Sequence, residues 1–303
     1  MIEKPTILIT SLGRTGTLFF ANLFAELLPD GTSLHEPDYF NFGQYRGWKE
    51  KLQQARRQIQ EAGFGNLVIK KSLGRWNLRT LSDARVCQKI PPATAARRIL
   101  QQRQQFIAAQ PGRVYVECSS AFYGLIDILP QVFRQQRTVY LVRDGREWVR
   151  SMLNFSAAVM YGKSWLRTRI SPDWPTAREL QDEPYASQWD TLPVFERLCW
   201  AWARLNGYAL ESIQHNPQAR VFRFEDVFHP DGGAQHVQQL VAFATAFEPE
   251  IATALPAGGS GRQKVHAAGP GFPSWEHWPA GQKQQYERIC GPLARQLGYA
   301  PDA

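Results

Sequence analysis

The run Gly13-Arg14-Thr15-Gly16-Thr17 combines what an anion site needs. The glycines let the backbone wrap closely round a bound oxyanion. The threonines add hydroxyl donors, and Arg14 adds a fixed charge whose planar fork can hold two oxygens. The apolar, β-branched stretch Thr6–Thr10 before it reads as a buried parallel strand. Leu18–Leu28 after it carries apolar residues at helical spacing until Pro29-Asp30-Gly31 stops the pattern. The first N–H groups of that helix, from Leu18 onward, have no intrahelical partner, and the helix dipole adds positive potential where they point. The loop is not a Walker A sequence, because Thr17 follows Gly16 directly. The lysine that reaches the β/γ-phosphates and the hydroxyl that holds magnesium are missing together.

A second group with binding chemistry is Tyr140-Leu-Val-Arg143-Asp144-Gly-Arg146-Glu147-Trp-Val-Arg150-Ser151. Arg143 ends a predicted strand, Arg137–Val142, and a helix follows from about Gly145. Ser151 lies about two helical turns beyond Arg143, so a ligand reaching both must lie across the start of the helix. Arginine and serine can share one phosphate as charged and neutral donors. The structural alternative is a capped helix with Arg143 and Asp144 in surface ion pairs.

The elements that position these groups follow one pattern. Asn66–Lys70, Val114–Glu117 and Arg220–Phe224 also read as strands. Helical stretches are expected at about Tyr45–Ala62, Ala93–Ala109, Val194–His215 and Gln235–Phe247. Strands alternating with helices imply an α/β fold with a central parallel sheet flanked by helices. A single domain over residues 1–303 is the simplest division. Phe155–Leu192 and Pro256–Trp278 are irregular and aromatic-rich, the form of binding loops or a substrate lid.

Composition narrows the function classes. A hydrophobic content of 44% suits a globular protein with a full core and excludes a disordered or fibrous chain. The formal net charge of +8 suits a polyanionic ligand. Its lysines and arginines are scattered rather than gathered in a block, which disfavours a nucleic-acid partner. Cys87, Cys118, Cys199 and Cys290 form no CxxC pair, so they are expected to be reduced, mostly buried thiols of a cytoplasmic protein. No stretch has the apolar length of a membrane span.

The two phosphate-type segments resemble those of sulfotransferases that use 3′-phosphoadenosine 5′-phosphosulfate (PAPS). Ser11-Leu-Gly13-Arg14-Thr15-Gly16-Thr17 is similar to the family's 5′-phosphosulfate loop, usually Lys-Ser/Gly-Gly-Thr. Tyr140-x-x-Arg143-Asp144-x-x-Glu147-x-x-x-Ser151 is similar to its 3′-phosphate motif, with the same Arg-to-Ser spacing and the same order along the chain. Glu117-Cys-Ser119-Ser-Ala121-Phe122 resembles the Glu-Lys-Ser-Pro-x-Tyr segment of heparan-type and bacterial members. Phe222-Arg-Phe-Glu225-Asp226-Val227 resembles their Arg-Tyr-Glu-Asp-Leu strand end, and Leu297-Gly298-Tyr299 resembles the closing Leu-Gly-Tyr. The chain departs from the pattern at Arg14, where the family usually has lysine, at Phe19, where it has an adenine-stacking tryptophan, and at Cys118, where it has lysine.

The resemblance implies a P-loop-NTPase-like sulfotransferase fold and transfer of a sulfuryl group from PAPS to an acceptor hydroxyl or amine without a metal ion. It implies that Gly13, Arg14, Thr15, Gly16, Thr17, Leu18, Arg143 and Ser151 bind the donor. Arg262 and Lys264 resemble the cationic loop that closes over the 3′-phosphate. Glu36, in His35-Glu36-Pro37, stands where heparan-type and tyrosylprotein members carry their catalytic base, with His35 the second choice. Lys71, in Lys70-Lys71-Ser72, is similar to a lysine that steadies the sulfuryl group. The acceptor is expected to be a small molecule, carbohydrate or lipid. Tyr39, Phe40, Phe42, Trp165, Trp174 and Trp189 are available either to its pocket or to local core. Two other readings remain open: a non-catalytic adenine-nucleotide-binding module, and a P-loop small-molecule kinase that would require Mg-ATP.

Overall fold

The computed structural model describes residues 1–38, 47–62, 77–154, 174–247 and 271–299. At its centre is a parallel sheet of five strands: β1 (Thr6–Ser11), β2 (Gly31–His35), β3 (Val114–Cys118), β4 (Gln136–Val142) and β5 (Ala219–Arg223). The order is β2-β3-β1-β4-β5. The α/β class expected from the alternating pattern is therefore observed. Every residue of β1 and β3 is buried, as in strands covered on both faces. Central β1 pairs with β3 through Ile7↔Val116 and with β4 through Ile9↔Val139.

Helices cover both faces. The longer helices of the described residues are α1 (Thr17–Leu27), α2 (Trp48–Ala62), whose Trp48 and Leu52 are exposed, α3 (Leu78–Val86), α4 (Pro92–Ala108), α5 (Gly145–Asn154), α6 (Val194–Gln214), α7 (Gly233–Ala244) and α8 (Ala280–Ile289). Alternation along β1 divides the core. Ile7 and Ile9 pack with Phe20 and Phe24 of α1 and Leu240 of α7, while Leu8 faces Ile99 of α4 and Leu81 of α3. Phe20 and Phe24 are fully buried, each burial contributing about 1.5–3 kcal/mol. A third cluster under β4 joins Trp148 of α5, Trp200 and Trp202 of α6, and Tyr286 of α8. Among the described residues, no helix is long and apolar enough to cross a membrane.

Of the strands, one expected position is not described and one observed strand was not expected. The strand expected at Asn66–Lys70 lies outside the described residues. Gly31–His35 forms β2, an edge strand that the sequence pattern did not mark. Residues 174–192, half of the stretch expected to be an irregular insertion, hold the one-turn helices Ala177–Leu180 and Tyr185–Gln188 and pack on the core. Trp189 is buried with its ring 4.9 Å from that of Trp200. Trp174 lies 4.0 Å from the guanidinium carbon of Arg79. Trp189 belongs to the core cluster under β4, and half-buried Trp174 packs against it.

Candidate functional site

The strand order makes β1 and β4 neighbours at the point where connections leave in opposite directions. The crevice beyond their carboxyl ends is the usual ligand position in an open α/β sheet. Both phosphate-type segments emerge there. After β1, Gly13 (φ 82°), Arg14 (φ 58°) and Gly16 (φ 80°) take left-handed conformations. A backbone curled in this way gathers successive N–H groups into an anion-binding concavity. Arg14 has no glycine's freedom, so its φ carries a strain of about 1–3 kcal/mol. Gly16 is required twice over: by its φ, and because a Cβ there would meet the Phe228 ring at 2.9 Å. Gly16 is also the N-cap of α1, and its carbonyl accepts the Phe20 N–H at 3.3 Å. Ser11 Oγ accepts the Gly13 N–H at 3.0 Å and braces the turn.

The second segment touches the first through Ser151, Arg143 and Trp148. Arg14 Nε donates to Ser151 Oγ at 3.2 Å. Arg143 Nη1 donates to the Arg14 carbonyl at 3.0 Å. Trp148 Nε1 donates to the Gly13 carbonyl at 3.1 Å. Arg143 therefore spans from β4 to the loop after β1, with its guanidinium carbon 4.7 Å from the centre of the Phe224 ring. It also pairs with Glu147 at 3.4 Å, the ion pair of the structural alternative, yet its side chain is mostly buried. Its Nε has no hydrogen-bond partner among the described residues. Burial pushes the Arg143 pKa down, against the opposing effect of Glu147, Glu225 and Asp144. Burial and the adjacent Arg143 push Arg14 down as well. Two crowded, desolvated guanidiniums beside a nest of backbone donors form a site whose positive charge an anionic ligand would relieve.

The other residues divide by what they offer. Thr15 is 1% exposed and its hydroxyl has no partner among the described residues. The Thr17 hydroxyl lies 3.2 Å from His35 Nε2 and joins the start of α1 to the end of β2. Leu18 is half-buried in the first turn of α1. Burial pushes His35 below the ordinary histidine value, with Glu36 opposing. Phe19 makes edge contacts with Phe20 and Phe228 at 5.1 and 5.0 Å.

Glu36 adopts φ 44° just past β2. Its N–H donates to the Cys118 carbonyl at 3.0 Å, and its carboxylate accepts the Ser120 hydroxyl at 3.0 Å. Two residues on, Asp38 enters a buried cluster that the sequence reading missed. Arg103 holds Asp38 through two hydrogen bonds (3.0 and 2.7 Å) and Glu117 through two more (3.0 and 2.8 Å). The Tyr115 hydroxyl donates to Glu117 at 2.7 Å. The available signal was Arg103 itself, a charge on the otherwise apolar stripe Ala95, Ile99, Ile107 of α4. Arg262, Lys264, Lys70, Lys71, Tyr39, Phe40, Phe42 and Trp165 lie outside the described residues.

No protein-family model matches the chain, and no curated protein matches it. Among solved structures it is similar to the sulfotransferase domain from the curacin biosynthetic pathway, at 16% identity and a TM-score of 0.44, covering 100% of both chains. It is also similar to a sulfotransferase from Alicyclobacillus acidocaldarius, at 13% identity and a TM-score of 0.41, over 98% of this chain and 97% of that one.

Proposed function

We propose that this chain is a sulfotransferase that moves a sulfuryl group from PAPS to an acceptor hydroxyl or amine. One observation supports the reading most: the order of groups along the carboxyl edge of the sheet. Arg143 and Ser151 stand after β4, the Gly13–Thr17 loop after neighbouring β1, and Glu36 after β2. Two strand steps separate β1 from β2 and three separate β4 from β2, about 14 Å at the usual strand spacing. A donor with its 3′-phosphate at β4 and its 5′-phosphosulfate at β1 would direct the sulfuryl group toward the β2 end, where the carboxylate stands.

The chemistry asks mainly for positioning and charge stabilisation, as in phosphoryl transfer. The acceptor oxygen forms a bond to sulfur as the bond from sulfur to the bridging oxygen breaks. The electron pair leaves with adenosine 3′,5′-bisphosphate. Arg14 and the N–H groups of Gly16 and Thr17 stabilise the charge developing on that oxygen. Glu36 takes the proton from the acceptor. His35, engaged with the Thr17 hydroxyl, orients a donor in the loop and is the second choice for the base. In this reading Arg262 and Lys264 close over the 3′-phosphate, and the acceptor is a small molecule, carbohydrate or lipid.

The test is melting temperature against adenosine 3′,5′-bisphosphate and against Mg-ATP. Saturation at a hundred times Kd stabilises the folded state by about 2.7 kcal/mol, enough to raise the melting point by several degrees. The expected result is a rise with the bisphosphate that adenosine 5′-monophosphate does not match. A preference for Mg-ATP, or indifference to the 3′-phosphate, overturns the assignment in favour of a kinase or another nucleotide-binding role.

A further inference from the structure

Two segments singled out in the sequence but given no chemical task, Phe224-Glu225-Asp226 and Leu297-Gly298-Tyr299, meet behind Arg143. Glu225 lies in the one-turn helix Phe224–Val227 that follows β5. Its Oε1 accepts the Asp144 N–H at 2.9 Å, and its Oε2 accepts the Tyr299 hydroxyl at 2.8 Å. The carbonyl on the other side of the same peptide unit, that of Arg143, accepts Trp202 Nε1 at 2.9 Å. Both polar ends of the Arg143–Asp144 peptide are therefore held by side chains from outside β4. Phe224, next to Glu225, supplies the ring against the Arg143 guanidinium. One short turn thus supports both the backbone and the side chain of this arginine.

Tyr299 is brought there by the end of the chain. After the helix Gly291–Gln296, Gly298 takes φ 75°, and the Tyr299 N–H donates back to the Ala294 carbonyl at 2.9 Å. This left-handed helix ending favours glycine. Arg223, paired with Asp226, donates to the Gly298 carbonyl at 3.1 Å and ties the turn to β5. Tyr299 is 7% exposed. Its hydroxyl also lies 3.3 Å from the Val142 carbonyl, but it has one proton to give, and the shorter contact is to Glu225. The carboxylate thus takes two donors, which offsets the cost of its burial.

We infer that Glu225 and Tyr299 are a positioning pair that sets Arg143 for the 3′-phosphate, so that the C-terminal turn governs the preference for a 3′-phosphorylated nucleotide. The inference rests on the donor-binding reading above. Neither residue touches the phosphate; both act through the Arg143–Asp144 peptide and the guanidinium that follows from it. A group that grips one phosphate affects ligands with that phosphate and leaves the others alone. The readout is therefore a ratio of affinities, which general destabilisation does not move.

The experiment measures Kd by calorimetry for adenosine 3′,5′-bisphosphate and for adenosine 5′-monophosphate in the wild type, Glu225→Leu, Glu225→Gln and Tyr299→Phe. The wild type should prefer the bisphosphate. Glu225→Leu should reduce that preference about tenfold or more, the size of one lost charge-assisted hydrogen bond, with monophosphate affinity unchanged. Glu225→Gln should retain most of the preference, because its amide oxygen still accepts the Asp144 N–H. Tyr299→Phe should fall between them, and it tests the pair by itself if Glu225→Leu does not fold. An unchanged ratio in Tyr299→Phe and Glu225→Leu, or equal losses for both nucleotides, overturns the inference. A wild type with no preference overturns the donor-binding reading instead.

Discussion

Replacing Arg103 by methionine should destabilise the protein by about 3–5 kcal/mol, the usual cost of removing one partner from a buried ion cluster. The structure indicates why the full range applies. Arg103 is fully buried and satisfies two carboxylates with four hydrogen bonds of 2.7–3.0 Å. Without it, Glu117 at 0% exposure and Asp38 at 6% are left together with no cation among the described residues. Methionine fills much of the same volume, so little of the loss comes from a cavity. Against a total stability of about 5–15 kcal/mol, the variant would be marginal but measurable by urea unfolding. Burial already raises the Glu117 pKa above the usual carboxylate value. A carboxyl group whose folded pKa is raised binds more protons folded than unfolded, so its favourable contribution is present at low pH and lost as pH rises through the folded pKa. The deficit of Arg103→Met should therefore be largest near neutrality and shrink toward pH 4–5. Changing all three residues to apolar ones (Arg103→Met, Asp38→Leu, Glu117→Leu) should recover most of the stability. A single variant within about 1 kcal/mol of wild type at pH 7, or a triple variant no more stable than the single one, would show that Arg103 does not hold this cluster together.

Other expected outcomes concern the site directly. Arg143→Ala should weaken adenosine 3′,5′-bisphosphate binding about 100-fold in calorimetry, since charge-assisted contacts to the ligand go with it; unchanged affinity removes it from the site. Glu36→Gln should leave nucleotide affinity intact and lower transfer of radiolabelled sulfuryl group by about 10²-fold or more, whereas full activity hands the role to His35 or another group. Gly16→Ala combines a disfavoured φ with a contact to Phe228; it should lower stability by about 1–3 kcal/mol and reduce the nucleotide-dependent rise in melting point.

What could be read from the sequence was what is local. The TILIT run, the Gly13–Thr17 turn and the helix after it are adjacent in the chain, and Arg143 and Ser151 lie in one strand-to-helix segment. Contacts across the sheet leave no such trace. That Arg14 reaches Ser151, and that Trp148 reaches the Gly13 carbonyl, depends on β1 and β4 lying side by side. Strand β2 escaped notice because Gly31, Thr32 and Ser33 are small or polar and only half-buried at an edge, where packing demands little of the sequence. Trp174 and Trp189 sat in a stretch with no periodicity, where aromatics fit a pocket or a core equally well. The burial of the Thr15 hydroxyl depends on the direction of one side chain in a tight turn, which residue type does not specify.

A crystal structure with adenosine 3′,5′-bisphosphate would show where a single nucleotide lies against the two strand ends. It should place the 5′-phosphate within the Gly13–Thr17 loop and the 3′-phosphate between Arg143 and Ser151, with the open side of the 5′-phosphate toward Glu36. A nucleotide bound elsewhere, or one that engages only one of the two strand ends, would contradict the donor-binding reading.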